Sequence, residues 1–412
     1  MKNSSSSAGP PRTEAGSGGT PVDIRVVESL AGIPGDQWNA LTDGQPFLRH
    51  EFLHALHQTG CASEKSGWLP QYVTLWRDGR LEGALPLYLK THSYGEYVFD
   101  WAWADAYQRH GLAYYPKLLC AVPFSPVSGP RVLAATAADR ARLIRSALTI
   151  AESVSSLHVL FPPQSEATEL EGAGLMLRQG VQFHWRNAAY RHFEEFLGAL
   201  SHDKRKKIRQ ERRKVAASGV TFRRLAGGEI TAADWRFFIR CYNTTYRAHH
   251  STPYLNLPFF ERLGDALGEN VLMIIAEMEG RPVASALNLF DRKTLWGRYW
   301  GAIGYLPGLH FETCYYQALE FCIERGIETF EGGAQGEHKL SRGFLPSRTW
   351  SAHWLKHDRF ADAVEQFLQR EASGIGRYLD ELNERTPFKH PGNSAAAAAG
   401  AGPVTLDPDP AT

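Results

Sequence analysis

Two stretches of this chain repeat one pattern. DGRLEGALPLYL, from Asp78, and EGRPVASALNLF, from Glu279, each set an acid–Gly–Arg turn ahead of an alternating apolar run. Tyr72-Val-Thr-Leu-Trp76 precedes the first and Val271 to Glu277 the second, and both are strand-like in their apolar pattern. Each pair predicts a β-hairpin, and the turn glycines, Gly79 and Gly280, lie 201 residues apart. The elements after each hairpin repeat too. Asp139 to Ser153 carries Leu143, Ile144, Ala147, Leu148 and Ala151 at helical spacing, and Leu157 to Phe161 is then a strand closed by Pro162-Pro163. In the second half Tyr315, Ala318, Leu319, Cys322 and Ile323 share that spacing, and Gly326 stands where a C-terminal cap belongs. Ile327 to Glu331 is the next strand, closed by Gly332-Gly333. Hairpin, strand, helix, strand, twice over, predicts a mixed α/β protein of two similar domains.

The organisation depends on where this pattern stops. Residues 1–20 and 391–412 are rich in Ser, Gly, Pro and Ala and predict disordered tails. The two domains are expected at 21–190 and 191–390. A net charge of +1, from 45 Lys+Arg against 44 Asp+Glu, excludes a wholesale cationic binder of nucleic acid or lipid and leaves local patches open. The five cysteines are scattered and form no C-x-x-C, which argues against a disulfide framework or zinc ribbon and for a reducing, cytoplasmic compartment. The N-terminus has no apolar stretch after Lys2, so no secretory signal is expected, and no run approaches the ~18 apolar residues of a membrane span. Nothing in the pattern fixes an oligomeric state. Phe99, Trp101, Trp103, Asp105 and Tyr107 occupy alternate positions, which predicts one more strand.

Three segments carry chemistry. Leu295 to Trp300 is a strand, and Gly301-Ala-Ile-Gly304-Tyr-Leu-Pro-Gly308 leads from it into a helix, so backbone N–H groups there would face an anion. A plain connector would have the same composition. Lys204 to Lys214 holds eight basic residues in eleven, with Glu211 the sole acid. On a helix Ile208 and Val215 face the core while Lys204, Arg205, Lys207 and Arg212 point outward, and Lys206, Lys207, Arg209 and Arg213 form a candidate polyanion track. A solvated helix face is the ordinary alternative. Finally, Glu331-Gly-Gly-Ala-Gln335-Gly-Glu337-His338-Lys339-Leu-Ser-Arg342 gathers ionisable side chains beyond the carboxyl end of a strand, where open α/β sheets bind ligands.

Taken together these residues resemble a family. The element order resembles the GNAT acyltransferase fold, and the second half resembles its FemAB-like branch. The basic helix KRKKIRQERRKVAASGV, the segment YYQALEFCIERGIETFEGG and GEHKLSRGF carry the likeness. The whole chain is similar to a bacterial group of FemAB-like N-acyltransferases with a proposed peptidoglycan link. The resemblance implies tandem GNAT-like domains, the second opening with the basic helix. It implies transfer of an acyl or aminoacyl group from acyl-CoA or aminoacyl-tRNA to an amine, on a small molecule or cell-wall precursor; direct attack is expected, because no Cys or Ser sits with a recognisable base partner. Arg298-Tyr-Trp-Gly301-Ala-Ile-Gly304 departs from the (Arg/Gln)-x-x-Gly-x-(Gly/Ala) loop of acetyl-CoA enzymes, which leaves both donors open.

Such transfer needs a base, donors for an oxyanion and an acid for the leaving group. Glu331 and Glu337 are the candidate bases and His338 the alternative, with Tyr299 or Tyr315 as acid. Arg298, Trp300, Gly301, Gly304, His310, Glu312, Gln335, Lys339 and Arg342 are the candidate substrate contacts. His310, Glu312, Glu337 and His338 lack metal-ligand spacing. A binding protein of degenerate acyltransferase fold, recognising a cell-wall precursor or RNA without turnover, is the alternative function.

Overall fold

The computed structural model describes residues 21–333 and 336–389. The predicted tails and Gln335 lie outside these residues. The first half contributes nine strands: β1 (Asp23–Val27), β2 (Trp68–Pro70), β3 (Tyr72–Arg77), β4 (Arg80–Leu85), β5 (Leu87–Lys90), β6 (Lys117–Cys120), β7 (Leu133–Ala134), β8 (Ser156–Leu160) and β9 (Met176–Arg186). The second contributes six: β10 (Val220–Ala226), β11 (Val271–Met278), β12 (Arg281–Phe290), β13 (Thr294–Ala302), β14 (Thr329–Glu331) and β15 (Leu345–Leu355). They form a four-stranded sheet, β1-β3-β4-β7, and an eleven-stranded one, β10-β11-β12-β13-β14-β9-β15-β8-β6-β5-β2.

Both hairpins form as the turn chemistry dictates. Asp78 and Gly79 sit at φ 48° and 76°, Glu279 and Gly280 at 51° and 70°. Two consecutive left-handed residues are the signature of the I′ turn, whose twist matches that of the strands. In each half a parallel pair then follows, β6 with β8 and β13 with β14. The helix Ala137–Ala151 serves the first crossover and buries Leu143, Ile144, Ala147 and Ala151. The second helix runs from Leu309 through a π turn at Glu312–Tyr316 to Arg325, capped by Gly326 at φ 66°.

The centre of the large sheet exchanges strands between the halves. β9 lies between β14 and β15, and β15 lies between β9 and β8. Aromatic side chains fasten the halves further. Phe47 meets Trp296 at 5.6 Å and Phe52 meets Phe259 at 5.5 Å, both edge to face. Such pairs contribute about 1 kcal/mol each beyond their area.

Two expectations are corrected. Trp101–Arg109 is a helix, not a strand. Alternate positions include an i, i+4 pair, and here Trp103 and Tyr107 are that pair, both buried, while Phe99 and Trp101 face outward. The predicted return strand from Leu81 to Leu89 is broken at Pro86, which has no N–H for the ladder, so β4 joins the small sheet and β5 the large one.

Candidate active site

The parallel pair β13–β14 holds for only three residues, from Thr294 opposite Thr329 to Trp296 opposite Glu331. β14 then ends while β13 runs on to Ala302, so the sheet opens at this point. On its other side β13 carries a bulge against Leu287 and Asn288, with Arg298 the extra residue. A bulge re-aims the side chains beside it. A cavity of about 150 Å³ fills the gap, walled by Gly297, Arg298, Tyr299 and Trp300 on one side and by Phe330, Gly332, His310, Cys314 and Tyr315 on the other. Ala286, Phe330 and Tyr315 belong to the core beneath the Leu309–Arg325 helix, whereas Tyr299 packs on the core shared with the first half. The opening is thus lined from both faces of the sheet.

Glu331 terminates β14 between Phe330 and Gly332, which line the cavity, and is 6% exposed. Burial raises its carboxyl to about 7, against the pull of Arg298, whose Nη2 lies 3.4 Å away, and of a backbone hydrogen bond from Ser128 in the first half. Arg298 donates from Nη1 to the Gly297 carbonyl at 3.0 Å and lies over the Phe47 ring, while its Nε has no partner among the described residues. Burial lowers the Arg298 guanidinium from its ordinary value. Lys339 Nζ donates to the Gly333 carbonyl at 3.3 Å, and burial, with Arg298 repelling it, pulls the ammonium down to about 8. The Tyr299 ring lies 5.5 Å from Tyr242 and 5.7 Å from Phe260. Burial pushes its phenol far up, and its buried hydroxyl is unpartnered among the described residues. His310 is held near 4 by burial and by His338, Arg342 and Lys339, and packs at a tilt against the Trp300 ring, 5.2 Å away. His338 bonds the Tyr315 hydroxyl at 3.3 Å, and burial lowers its pKa.

Other candidates lie elsewhere or are engaged. Glu337 is exposed, bonded to Tyr378 and Arg385 at 3.2 Å each. Glu312 is buried against Arg212, at 2.9–3.1 Å, and Gln317 at 2.8 Å. Arg342 is buried, paired with Glu211 at 2.8 Å, bonded to the Tyr316 hydroxyl at 3.0 Å and the His338 carbonyl at 2.7 Å, and stacked on Phe311. Gly301 marks a close helix–strand approach, since a Cβ there would stand 2.0 Å from the Cys241 carbonyl oxygen. Gly304 has open space around it. Sequence reasoning missed Ser128, Phe47 and His184. His184 pairs across from Glu331 in β9, and burial holds it near 3. The polar Gln182 and His184 inside the aromatic run QFHWR were the available signal.

The basic helix is His202–Ala217, with Ile208 and Val215 buried. Arg212 is a correction: it turns inward, because Glu312 and Glu320, at 2.9 and 2.7 Å, compensate its charge better than solvent exposure would offset leaving them unpaired. His202, Arg205, Lys206, Arg209 and Arg213 line a groove of about 910 Å³, and Lys207 lies outside it. The helix covers Gly308, whose Cβ position is 3.3 Å from a Val215 methyl. Among the described residues no group of three His, Cys, Asp or Glu could hold a metal ion, and no helix is long and apolar enough to cross a membrane.

This mixed α/β architecture is shared with FemX. FemX is similar at 12% identity and a TM-score of 0.52, over 81% of this chain and 98% of that one. A conserved protein of unknown function from Bacteroides thetaiotaomicron gives 10% and 0.49, over 80% and 99%. A tandem GNAT protein from the clavulanic acid biosynthesis pathway gives 11% and 0.43, over 82% and 99%. No curated protein matches. The FemAB-like family model, described as peptidoglycan biosynthesis/recognition, matches residues 29–390, and the chain belongs to that family.

Proposed function

We propose that this protein is an N-acyltransferase that moves an aminoacyl or acyl group onto an amine of a cell-wall precursor in the cytoplasm. The observation that carries this is the opened parallel pair, where a guanidinium and a phenol line one cavity and the buried Glu331 carboxyl pairs with that guanidinium. Glu331 near neutrality suits a base that takes the ammonium proton. The amine nitrogen then attacks the donor carbonyl carbon, the new C–N bond forms, and the oxyanion is met by the Lys339 ammonium. Collapse breaks the bond to the donor, and the leaving atom takes the proton of the Tyr315 phenol, which lines the same cavity. The phenolate recovers a proton from the new amide nitrogen through water, and Glu331 releases its proton to water. No covalent enzyme intermediate is required, since burial raises the Cys314 thiol well above its ordinary range.

Between donors, the groove favours aminoacyl-tRNA. Lys206, Arg209 and Arg213 border a volume suited to a phosphodiester backbone, while Val215 covers the helix start at Gly308. A phenol raised by burial also matches an alkoxide leaving group better than a thiolate. Native mass spectrometry of the protein offered charged tRNA and CoA esters separately tests the donor. Retention of charged tRNA is expected, and retention of a CoA ester alone overturns that choice. Arg342 and Glu312 are fastening residues in this reading, and His310 and Trp300 are walls of the cleft.

A further inference from the structure

Two buried donors, each on a residue that lines the cleft, have no acceptor among the described residues. They are Arg298 Nε and the Tyr299 hydroxyl, neighbours at the β13 bulge, and both residues line the cavity. An unpaired buried donor is costly, more so when charged, so a chain that keeps two on adjacent residues is built to have them filled. A neutral group would satisfy the phenol and leave the guanidinium charge uncompensated. Among the described residues its one ion pair is the 3.4 Å contact with Glu331, a carboxyl that burial drives toward its neutral form. The acceptor that fits a guanidinium edge and a phenol together is a carboxylate. Volume narrows the choice. At about 30 Å³ per water, 150 Å³ holds roughly five water-sized atoms, the size of an amino-acid head group and smaller than a sugar.

We propose that the acceptor is an amine whose own carbon carries a carboxylate, with that carboxylate held by Arg298 Nε and the Tyr299 hydroxyl and the amine turned to Glu331. This rests on reading the cleft as the acceptor site. One guanidinium then does two jobs: Nε binds the carboxylate, and Nη2 orients the base. A plain side-chain amine of the lysine type would reach Glu331 but leave both donors unfilled.

The test uses isothermal titration of the full chain with mono-N-acetyl-diaminopimelate, whose free amine shares its carbon with a carboxylate, and with Nα-acetyl-lysine, whose free amine does not. The first is expected to bind at least about tenfold tighter, the worth of one charged hydrogen bond. Arg298→Gln should remove that advantage. Tyr299→Phe, which deletes only the hydroxyl, should reduce it and serves if the arginine variant fails to fold. Equal affinities, no binding of either probe, or an advantage that survives both variants overturns the proposal. Adding charged bulk tRNA separates this inference from the transferase reading. Carboxylate-dependent binding without any transfer keeps the inference and sinks the transferase. Equal transfer to both probes keeps the transferase and sinks the inference.

Discussion

The two halves treat the same opening in opposite ways. In the second half the ends of β13 and β14 part around a cavity. In the first, the corresponding ends of β6 and β8 are filled by Arg131, which is fully buried. Its Nε donates to the Leu160 carbonyl at 2.8 Å, Nη1 to Gly129 and Pro130 at 3.0 Å each, and Nη2 to Val127. The Arg131 and Val132 amides in turn donate to the Glu166 carboxylate. Arg298 and Arg131 are both buried guanidinium groups at a parallel-strand end, yet one keeps an open donor and the other spends its donors on carbonyls. One opening holds a cavity and the other is plugged. The plug is not inert, because its loop supplies the Ser128 contact to Glu331 and Arg131 itself helps to lower that carboxyl's pKa.

The strongest way to break this contrast is at the base. Glu331→Gln should cut transfer by about 10²–10⁴-fold, the usual worth of a general base, with the fold retained. Steady-state kinetics beside a thermal melt checks it, and unimpaired turnover would remove Glu331 from the role of base. Arg131→Met should act on stability instead. It leaves four carbonyls, two of them fully buried, without their donor, on the order of 3 kcal/mol by denaturant unfolding. It should also move the acid limb of the rate profile upward, since one cation near Glu331 is gone.

The rate profile itself depends on two groups. Glu331 must be ionised to accept a proton, so activity should rise as pH increases through about 7. Lys339 must be charged, so activity should fall through about 8, giving a narrow bell. Lys339→Arg should remove the upper limb and leave the lower one. For stability the sign is the reverse of the usual carboxylate case: the Glu331 carboxyl is raised in the fold, so its contribution is complete below about 4.5 and is lost as pH rises through about 7. Glu331→Gln should flatten that loss.

How far the sequence carried this contrast depends on the range of each interaction. The hairpins were legible because Asp78-Gly79 and Glu279-Gly280 impose their turns locally. Glu331 was legible as an acid at a strand end before two glycines. The exchange of β9 and β15 was not, because pairing between residues 160 or more apart leaves no periodicity to read. Ser128, Phe47 and His184 reach the site only through that exchange and the packing around it. Arg298 was visible as a basic residue on a strand, but the bulge that bares its Nε depends on β12. Arg212 and Arg213 are adjacent and chemically alike, and only the buried Glu312 tells them apart.

A smaller effect concerns the groove. Reversing Lys206, Arg209 and Arg213 together should weaken tRNA retention and reduce the salt slope of binding by about 2, on ~0.7–0.9 per phosphate contact. Arg209 already contacts Glu194, so its share should be the least. Lys207→Glu, outside the groove, should change the slope by less than any of the three.

The smallest effect tests whether the halves are alike where no function intervenes. Gly79 and Gly280 both have open space where a Cβ would stand, so alanine at either meets no clash and bears only the backbone cost of a left-handed φ. That cost is about 1 kcal/mol per position. Equal shifts in chemical denaturation for Gly79→Ala and Gly280→Ala would mark the two hairpins as one device used twice. The transfer rate should not follow either change, because β3–β4 belongs to the small sheet and the Gly280 turn lies at the end of β12 remote from the Leu287 and Asn288 bulge. A rate loss in Gly280→Ala alone would mean that the second hairpin transmits its register to Arg298, and the likeness of the halves would then end at the turn rather than at the cleft.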